Sequence, residues 1–169
     1  MSLVIRPAVP DDLPALEALF AAARRFMAAA GNPRQWANGY PGREDLAADI
    51  RAGKSYICEE DGELLASFFF DRGPCPEASY RAIDGAWLQS GPYGVVHRLA
   101  VADAARGRGV AGRCLAWCFA RSGGDLRADT HADNRPMQRT LEKNGFSRRG
   151  TVVLARGGAR WAYEKTGDV

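Results

Sequence analysis

The chain of 169 residues, 46% hydrophobic and 25% charged, has the size and composition of one soluble globular domain. Its formal net charge of +3 is small and its arginines are spread along the sequence, which argues against a nucleic-acid partner. No apolar stretch reaches the length of a membrane span, and Met1–Pro7 lacks the apolar core of a signal peptide. We therefore expect a single cytoplasmic domain over residues 1–169, with no membrane or nucleic-acid partner.

The N-terminal quarter of the chain predicts one strand and two helices. Leu3–Arg6 reads as a strand, and Leu13–Met27 repeats apolar residues at helical spacing after an aspartate cap. A loop over residues 35–42 carries Trp36 and Tyr40. Glu44–Ala52 is then a short helix that ends at a glycine.

A hairpin and an irregular insertion follow. Ser55–Glu59 and Leu64–Phe70 are strands joined around Asp61-Gly62, a dipeptide typical of hairpin turns. Residues 71–93 have little regular patterning apart from a short helix near Ala78–Ile83. Insertions of this length in a compact domain are usually functional or form a binding lid.

The C-terminal half predicts two strand–helix units and a final hairpin. The first strand leads through a glycine-rich turn into a helix, and the second leads into a helix that Asn134 caps. The predicted strands are Val95–Val101, Leu126–Thr130, Thr151–Leu154 and Trp161–Lys165.

The four cysteines are expected to be reduced thiols. Cys114 and Cys118 lie one turn apart on a predicted helix, which is a poor disulfide framework, and the chain has no Cys-x-x-Cys. A zinc site built on this pair would need two more ligands that the sequence does not supply. Packing is therefore the expected role of both thiols, and no metal is predicted.

The turn Arg106–Gly112 predicts a site for a phosphate group. The first-turn N–H groups of the helix that follows are unpaired, and the positive end of the helix dipole points the same way. Glycine allows a phosphate to approach the backbone. Arg106 and Arg108 would add charge and bidentate donors.

Three interpretations of this turn compete, and the first two rest on general phosphate-binding motifs. A P-loop places Lys-Ser/Thr after its last glycine, whereas Arg113-Cys114 stands here, which argues against nucleotide hydrolysis. Gly107–Gly112 matches the dinucleotide pattern Gly-x-Gly-x-x-Gly, with Asp129 at the end of a later strand. A dinucleotide-binding domain normally begins with this fingerprint, however, and here only one strand–helix unit and a hairpin follow. A dinucleotide-dependent oxidoreductase stays an alternative.

The third interpretation is a resemblance that two separate motifs carry. Arg106-x-x-Gly109-x-Ala111 is similar to the Arg/Gln-x-x-Gly-x-Gly/Ala signature of the GNAT family of acetyl-CoA-dependent N-acetyltransferases. Leu99–Val101 resembles the family's fourth strand. Asp129–Phe146 resembles its fifth strand, the Asn-initiated helix and the closing Lys-x-Gly-Phe. Two motifs in the right order and at the right separation are more specific than either alone.

The resemblance implies a fold and a chemistry. The fold would be an α/β (α+β) GNAT fold, with a mixed, mostly antiparallel sheet of about seven strands, splayed between strands 4 and 5, and about four helices. The activity would be direct acetyl transfer, in a ternary complex, from acetyl-CoA to a primary amine of a small molecule or peptide. No metal is implied, and a homodimer is left open.

The coenzyme contacts carried over from the family are mostly backbone groups. The fourth strand would present free N–H groups to the thioester carbonyl and the pantetheine arm, the turn would hold the pyrophosphate, and Asn134 would meet the coenzyme arm. The expected coenzyme-binding residues are Leu99, Ala100, Val101, Arg106, Gly107, Arg108, Gly109, Val110, Ala111, Gly112 and Asn134.

His97 is the candidate general base. It lies two residues before Leu99, so strand periodicity predicts that both face the same side, and a family member carries its basic histidine at the corresponding position. A histidine titrates near neutrality and can take a proton directly or through water; a core histidine with internal hydrogen bonds is the alternative. His131 is a second candidate, with a loop role beside Asn134 as its alternative. Asp129 or Asp133 would orient either ring.

The chain departs from the family at the expected general acid. Leu141 stands where many members carry a tyrosine, two residues before the lysine of Lys-x-Gly-Phe. Because a thiol with a pKa of about 8.5 leaves readily, a donor is dispensable in principle, and Tyr93 or Tyr163 are substitutes that the sequence does not locate. The departure also leaves a non-catalytic acyl-CoA-binding domain as an alternative function.

Four loop aromatics are the candidate acceptor-site residues. Aromatic side chains outside core periodicity line amine pockets or serve as local packing anchors. Glu77 or Asp84 would balance the charge of the amine. The aromatic candidates are Trp36, Tyr40, Trp87 and Tyr93.

Overall fold

The computed structural model describes residues 2–168, which form one eight-stranded sheet and four α-helices. The strands are β1 (Val4–Pro7), β2 (Ser55–Glu60), β3 (Glu63–Gly73), β4 (Asp84–Gly85), β5 (Tyr93–Val101), β6 (Asp125–Thr130), β7 (Ser147–Leu154) and β8 (Gly158–Thr166). The helices are α1 (Leu13–Ala29), α2 (Arg43–Arg51), α3 (Val110–Ala120) and α4 (Arg135–Lys143).

The strands lie in the order β1-β2-β3-β5-β6-β8-β7-β4. Every neighbouring pair is antiparallel except β5–β6, so the expected mixed, mostly antiparallel sheet is confirmed. The eighth strand is the two-residue β4, which the insertion contributes by pairing with β7. A dinucleotide-binding domain needs a run of adjacent parallel strands, and over residues 2–168 there is a single parallel pair.

The parallel pair is also the place where the sheet opens. β5 and β6 are in register only at Gly94–Leu126 and Val95–Arg127. Beyond Val95 the two strands separate. The fourth and fifth strands of the predicted fold correspond to β5 and β6, because the insertion adds β4 before them. The predicted splay therefore lies between β5 and β6. Backbone groups of β5 that point away from β3 have no strand beside them there.

A bulge in β5 corrects one expectation about His97. Phe69 pairs with His97 and Ser67 pairs with Ala100, so one residue of β3 faces two of β5, and Arg98 has φ +50°. The extra residue shifts the alternation of side chains. Leu99 packs with the core beneath α3, whereas His97 lies beside Phe69 and Tyr80. The predicted same-face arrangement of His97 and Leu99 is wrong, because a bulge breaks the period of two.

Helices cover both faces of the sheet. On one face, α3 and α4 pack apolar residues such as Leu115 and Leu141 against Phe68. On the other, α1 packs Leu16 and Phe20 against β2 and β5. In α1 and α3 the buried residues recur at helical spacing, which is the pattern that predicted these two helices.

The insertion is packed onto the sheet rather than held over it as a lid. Its 3₁₀ turn, Ala78–Ala82, buries Tyr80, and the backbone N–H groups of Leu88 and Gln89 donate to the carboxylate of Glu164.

The four cysteines are free thiols. Within residues 2–168, no helix has both the length and the apolar character needed to cross a membrane.

Truncating the core beneath α3 tests the packing that positions β5 against α3. Phe68 is 1% exposed and its ring contacts those of Tyr56 and Trp117. We expect Phe68→Ala to lower the free energy of unfolding by about 3–5 kcal/mol in a urea titration, because it leaves a cavity. Val153→Ala, at a site 67% exposed, is the control and should stay within about 0.5 kcal/mol of wild type. A loss at Phe68 no larger than the control's would contradict this packing.

Candidate active site

Unpaired backbone donors lie at the N-terminus of α3. Gly107 and Gly109 adopt φ of +77° and +74°, and Gly109 is the N-cap of the helix. In the described part of the chain, the N–H groups of Gly109, Val110, Ala111 and Gly112 have no protein acceptor, whereas that of Arg108 donates to the Ala105 carbonyl oxygen at 3.3 Å. Four convergent donors at a helix N-terminus form a seat for an anion.

The two arginines expected to assist this seat are engaged elsewhere. Arg106 binds Asp103 at 2.9 Å and stacks 3.5 Å above the Phe26 ring, and Arg108 binds Glu60 at 2.6 Å. Their charges are therefore already balanced by carboxylates. The positive potential of the seat comes mainly from the N–H groups and the helix dipole.

A continuous cleft of about 1080 Å³ begins at this seat, passes the splay and ends beside His97. Arg108 is the one predicted coenzyme residue outside its lining. Asn134 lies in the lining and also caps α4, since its side chain accepts from the Met137 N–H at 3.2 Å. The lining includes Leu99, Ala100, Val101, Arg106, Gly107, Gly109, Val110, Ala111, Gly112 and Asn134.

His97 lies between two carboxylates at the far end of the cleft. Its Nε2 is 3.2 Å from Glu77 Oε2 and its Nδ1 is 3.5 Å from Asp129 Oδ2. Asp129, whose side chain is 5% exposed, also accepts from the Tyr80 hydroxyl at 2.6 Å. A neutral imidazole carries one N–H, so it donates to one carboxylate and presents a lone pair toward the other. The imidazole lone pair and the carboxylate that it faces are then two neighbouring acceptors, which suit a proton donor such as an ammonium group.

Neighbouring groups determine the protonation states of Glu77 and Tyr80. The hydrogen bond to His97, supported by the Ser79 N–H, lowers the pKa of Glu77 to about 2. Burial and the neighbouring Asp129 raise the pKa of Tyr80 well above its ordinary value. Glu77 is therefore an anion and Tyr80 a neutral donor at neutral pH.

His131 lies in a turn and not in the cleft lining. Its Nδ1 accepts from the Asp133 N–H at 3.0 Å, and its carbonyl oxygen accepts from the Asn134 N–H at 2.9 Å. This is the loop role that the sequence allowed. Asp129 is the carboxylate beside His97, and Asp133 the one beside His131.

The four aromatic candidates divide into two pairs. Trp36 and Tyr40 line the cleft. Trp87 and Tyr93 lie outside its lining, in a smaller cavity where the Arg127 guanidinium lies over both rings, at 4.4 and 4.0 Å. Trp87 donates to the Tyr80 carbonyl oxygen and Tyr93 to that of Glu77, so both anchor the insertion.

No tyrosine occupies the expected general-acid position. Leu141 lines the cleft. Tyr163 is buried outside the lining, and burial raises its pKa. Over residues 2–168, Tyr40 is the only tyrosine in the lining, and its hydroxyl accepts from Arg98. Across the same residues, no group of three or more histidine, cysteine or carboxylate side chains is arranged to hold a metal ion.

Gln35 is a site residue that the sequence analysis missed. Its Oε1 lies within hydrogen-bond distance of donors from the α1–α2 loop, the end of β6 and the turn before α4, and its carbonyl oxygen accepts from Arg160. The amide thus ties the loop carrying Trp36 to the splayed edge of the sheet. No local pattern marks such a residue, because all but one of the donors to its side chain are distant in sequence. The four donors are Asn32 Nδ2, Thr130 Oγ1, His131 N and Asn134 Nδ2.

Comparisons with known proteins agree on one family. The model of the acetyltransferase (GNAT) family matches residues 16–146. A GNAT-family acetyltransferase from Streptococcus agalactiae superimposes with a TM-score of 0.89 at 34% identity, covering 99% of this chain and 96% of that one. YncA of Salmonella typhimurium, solved with its cofactor acetyl-CoA, gives a TM-score of 0.65 at 18% identity, covering 100% and 96%. No curated protein matches the sequence significantly.

A carboxylate placed in the anion seat tests the role of the turn. We expect Gly109→Asp to abolish acetyl-CoA binding in isothermal titration calorimetry, because the added group occupies the seat and repels phosphate. The control is Gly53→Asp, at a glycine with a similar φ of +70° and with open space where a Cβ would lie. Equal binding by the two variants would contradict the assignment.

The contact between Glu77 and His97 predicts a pH-dependent stability. Because folding lowers the pKa of Glu77 from 4.5 to about 2, the stabilising effect of its charge is present above 4.5 and is lost as pH falls toward 2. The difference in unfolding free energy between wild type and Glu77→Gln should therefore be larger at about pH 6 than at about pH 3. A difference that does not change with pH would show that the contact has no such effect.

Proposed function

Because the chain belongs to the GNAT family of acetyltransferases, we propose that it transfers an acetyl group from acetyl-CoA to a primary amine of a small molecule or peptide, in a ternary complex. It is an enzyme of the N-acetyltransferase class. The observation that carries the proposal is the cleft that joins the anion seat of α3 to the Glu77–His97–Asp129 cluster. One end suits a diphosphate and the other suits an ammonium group.

The binding of acetyl-CoA is supported by the backbone. The free N–H groups at Gly109–Gly112 suit the diphosphate, and the open space beside Gly107 and Gly109 leaves it access to the chain. Groups of β5 between Leu99 and Val101 that face the splay would receive the pantetheine arm and the thioester carbonyl. An N–H aimed at the developing oxyanion contributes about 3 kcal/mol to such a step.

His97 is the proposed general base. In the proposed substrate complex, Nδ1–H points to Asp129, and the substrate ammonium replaces Nε2–H as the donor to Glu77 and also contacts the Nε2 lone pair. Transfer of its proton to Nε2 frees the amine lone pair, which attacks the carbonyl carbon. The new C–N bond forms as the C–S bond breaks, the electron pair of that bond leaves with the sulfur, and the second proton of the attacking nitrogen passes to water.

The leaving group needs no tyrosine in this scheme. A thiol with a pKa of about 8.5 is an adequate leaving group, and its proton can come from water or from the imidazolium. Leu141 contributes an apolar side chain to the lining of the cleft. The thiol state of Cys58, Cys114 and Cys118 supports the proposal that the enzyme works in the cytoplasm.

The direct test is release of free thiol from acetyl-CoA in the presence of a broad panel of amines. We expect at least one amine to raise the release above the hydrolysis blank, with the acetylated amine detected by mass spectrometry. Acetyl-CoA binding without turnover across the panel would instead favour a non-catalytic binding domain.

Removing His97 tests the base. We expect His97→Ala to lower kcat by about 100-fold or more, because the carboxylates that remain, Glu77 and Asp129, are weaker bases than an imidazole. The Kd for acetyl-CoA should stay within about twofold of wild type, since the anion seat lies at the other end of the cleft. The control is His131→Ala, which changes a histidine outside the lining. Unchanged turnover of His97→Ala at neutral pH would exclude His97 as the base.

A further inference from the structure

Arg98 forms the bulge of β5 with a backbone conformation that few non-glycine residues adopt. Its φ is +50°, in the left-handed region, and it follows His97 directly and precedes Leu99. Such a conformation is unfavourable for a residue that has a side chain and persists only where surrounding contacts hold it. The cause of this conformation should therefore be found in the contacts of Arg98.

Those contacts come from three other elements. The Arg98 guanidinium binds one oxygen of Asp49 in α2, with Nε at 2.9 Å and Nη2 at 2.8 Å from Oδ2. Its Nη1 donates to the Tyr40 hydroxyl at 2.9 Å, and its plane lies 4.8 Å from the centre of the Phe69 ring. The Arg98 and Asp49 side chains are only 18% and 17% exposed, and an ion pair in which two guanidinium nitrogens share one sheltered carboxylate oxygen constrains geometry more than a surface pair does.

The bulge decides what each side of β5 presents to the cleft. It turns His97 toward Glu77 and Asp129, and it sends the side chains of Leu99 and Val101 to the core beneath α3. The same guanidinium holds Tyr40, which forms part of the acceptor end of the cleft. One side chain thus links the base, the β5 backbone and the acceptor loop.

We propose that Arg98 is a positioning residue for acetyl transfer: its ion pair with Asp49 holds the bulge that orients His97 and the β5 backbone, and its bond to Tyr40 fixes the acceptor end. The inference rests on the proposed acetyltransferase function. It assigns Arg98 no contact with the reacting atoms.

Three substitutions distinguish the contribution of the Arg98 side chain from that of its backbone conformation. Arg98→Gly accepts the positive φ without strain but has no anchor, Arg98→Lys keeps the charge but lacks the guanidinium, and Asp49→Asn leaves the arginine without its carboxylate. Arg43→Ala is the matched control, because Arg43 makes an exposed ion pair of 3.2 Å between α2 and Glu17 of α1.

The measurements are steady-state kinetics with an amine that wild type accepts, and calorimetric Kd values for CoA and acetyl-CoA. We expect Arg98→Gly and Asp49→Asn to lower kcat by about 10- to 100-fold and to raise KM for the amine, because displacements near 1 Å have effects of that size. The Kd for CoA should stay within about twofold of wild type, since the anion seat is unchanged. Arg98→Lys should recover only part of the loss.

The outcomes distinguish the inference from the function on which it rests. Wild-type kinetics in Arg98→Gly would show that only the backbone conformation matters and would overturn the inference. A rise in the Kd for CoA matching the loss of kcat would show general unfolding and would also overturn it. Wild type that neither binds acetyl-CoA nor turns it over would overturn the proposed function, and the inference with it.

Discussion

The early end of pairing between β5 and β6 is the constraint on which the rest of the site depends. Two strands that start in parallel register at Gly94 and Val95 separate after one step, and backbone groups of β5 are then left without a strand partner. Unpaired backbone donors and acceptors are costly when buried, so such a gap persists where water or a ligand satisfies them. The cleft of this protein is that gap, continued at one end to the N-terminus of α3 and at the other to His97.

The two ends of the cleft bind charge with different kinds of group. At the α3 end, the donors are main-chain N–H groups and a helix dipole, which keep their geometry because the helix fixes them. Arg106 and Arg108 add little, since Asp103 and Glu60 already bind them. At the other end, the charges belong to side chains in a shielded cluster, where Glu77 stays ionised and Tyr80 stays neutral. The N–H groups of α3 suit a large polyanion that binds reversibly, and the side-chain cluster suits a small cation that must give up a proton.

The insertion and the α1–α2 loop supply residues at the acceptor end of the cleft and attach them to the sheet. Tyr80 and Glu77 come from the insertion, and Gln35 and Tyr40 from the loop, yet all four contact residues of the sheet or the turn before α4. Loops positioned by a rigid sheet are the usual place for substrate contacts. Three of these side chains, Glu77, Gln35 and Tyr40, also line the cleft, so they both hold the loops and form part of the acceptor end.

The sequence alone determined the order of helices and strands, the glycine turn, the Asn134 cap and the family, because each of these is written in neighbouring residues. Helical spacing, turn dipeptides and two short motifs are local signals, and the structure reproduces the elements that they predict. Only the tertiary structure decided that Glu77 and Asp129 flank His97, that Trp87 and Tyr93 lie outside the cleft lining, and that Arg98 forms a bulge. The contacts Glu77–His97, Tyr80–Asp129 and Arg98–Asp49 join residues that are 20 to 49 positions apart in the sequence. A bulge adds one residue to a strand without changing its composition, so the alternation that predicted the side of His97 gave no sign of the shift.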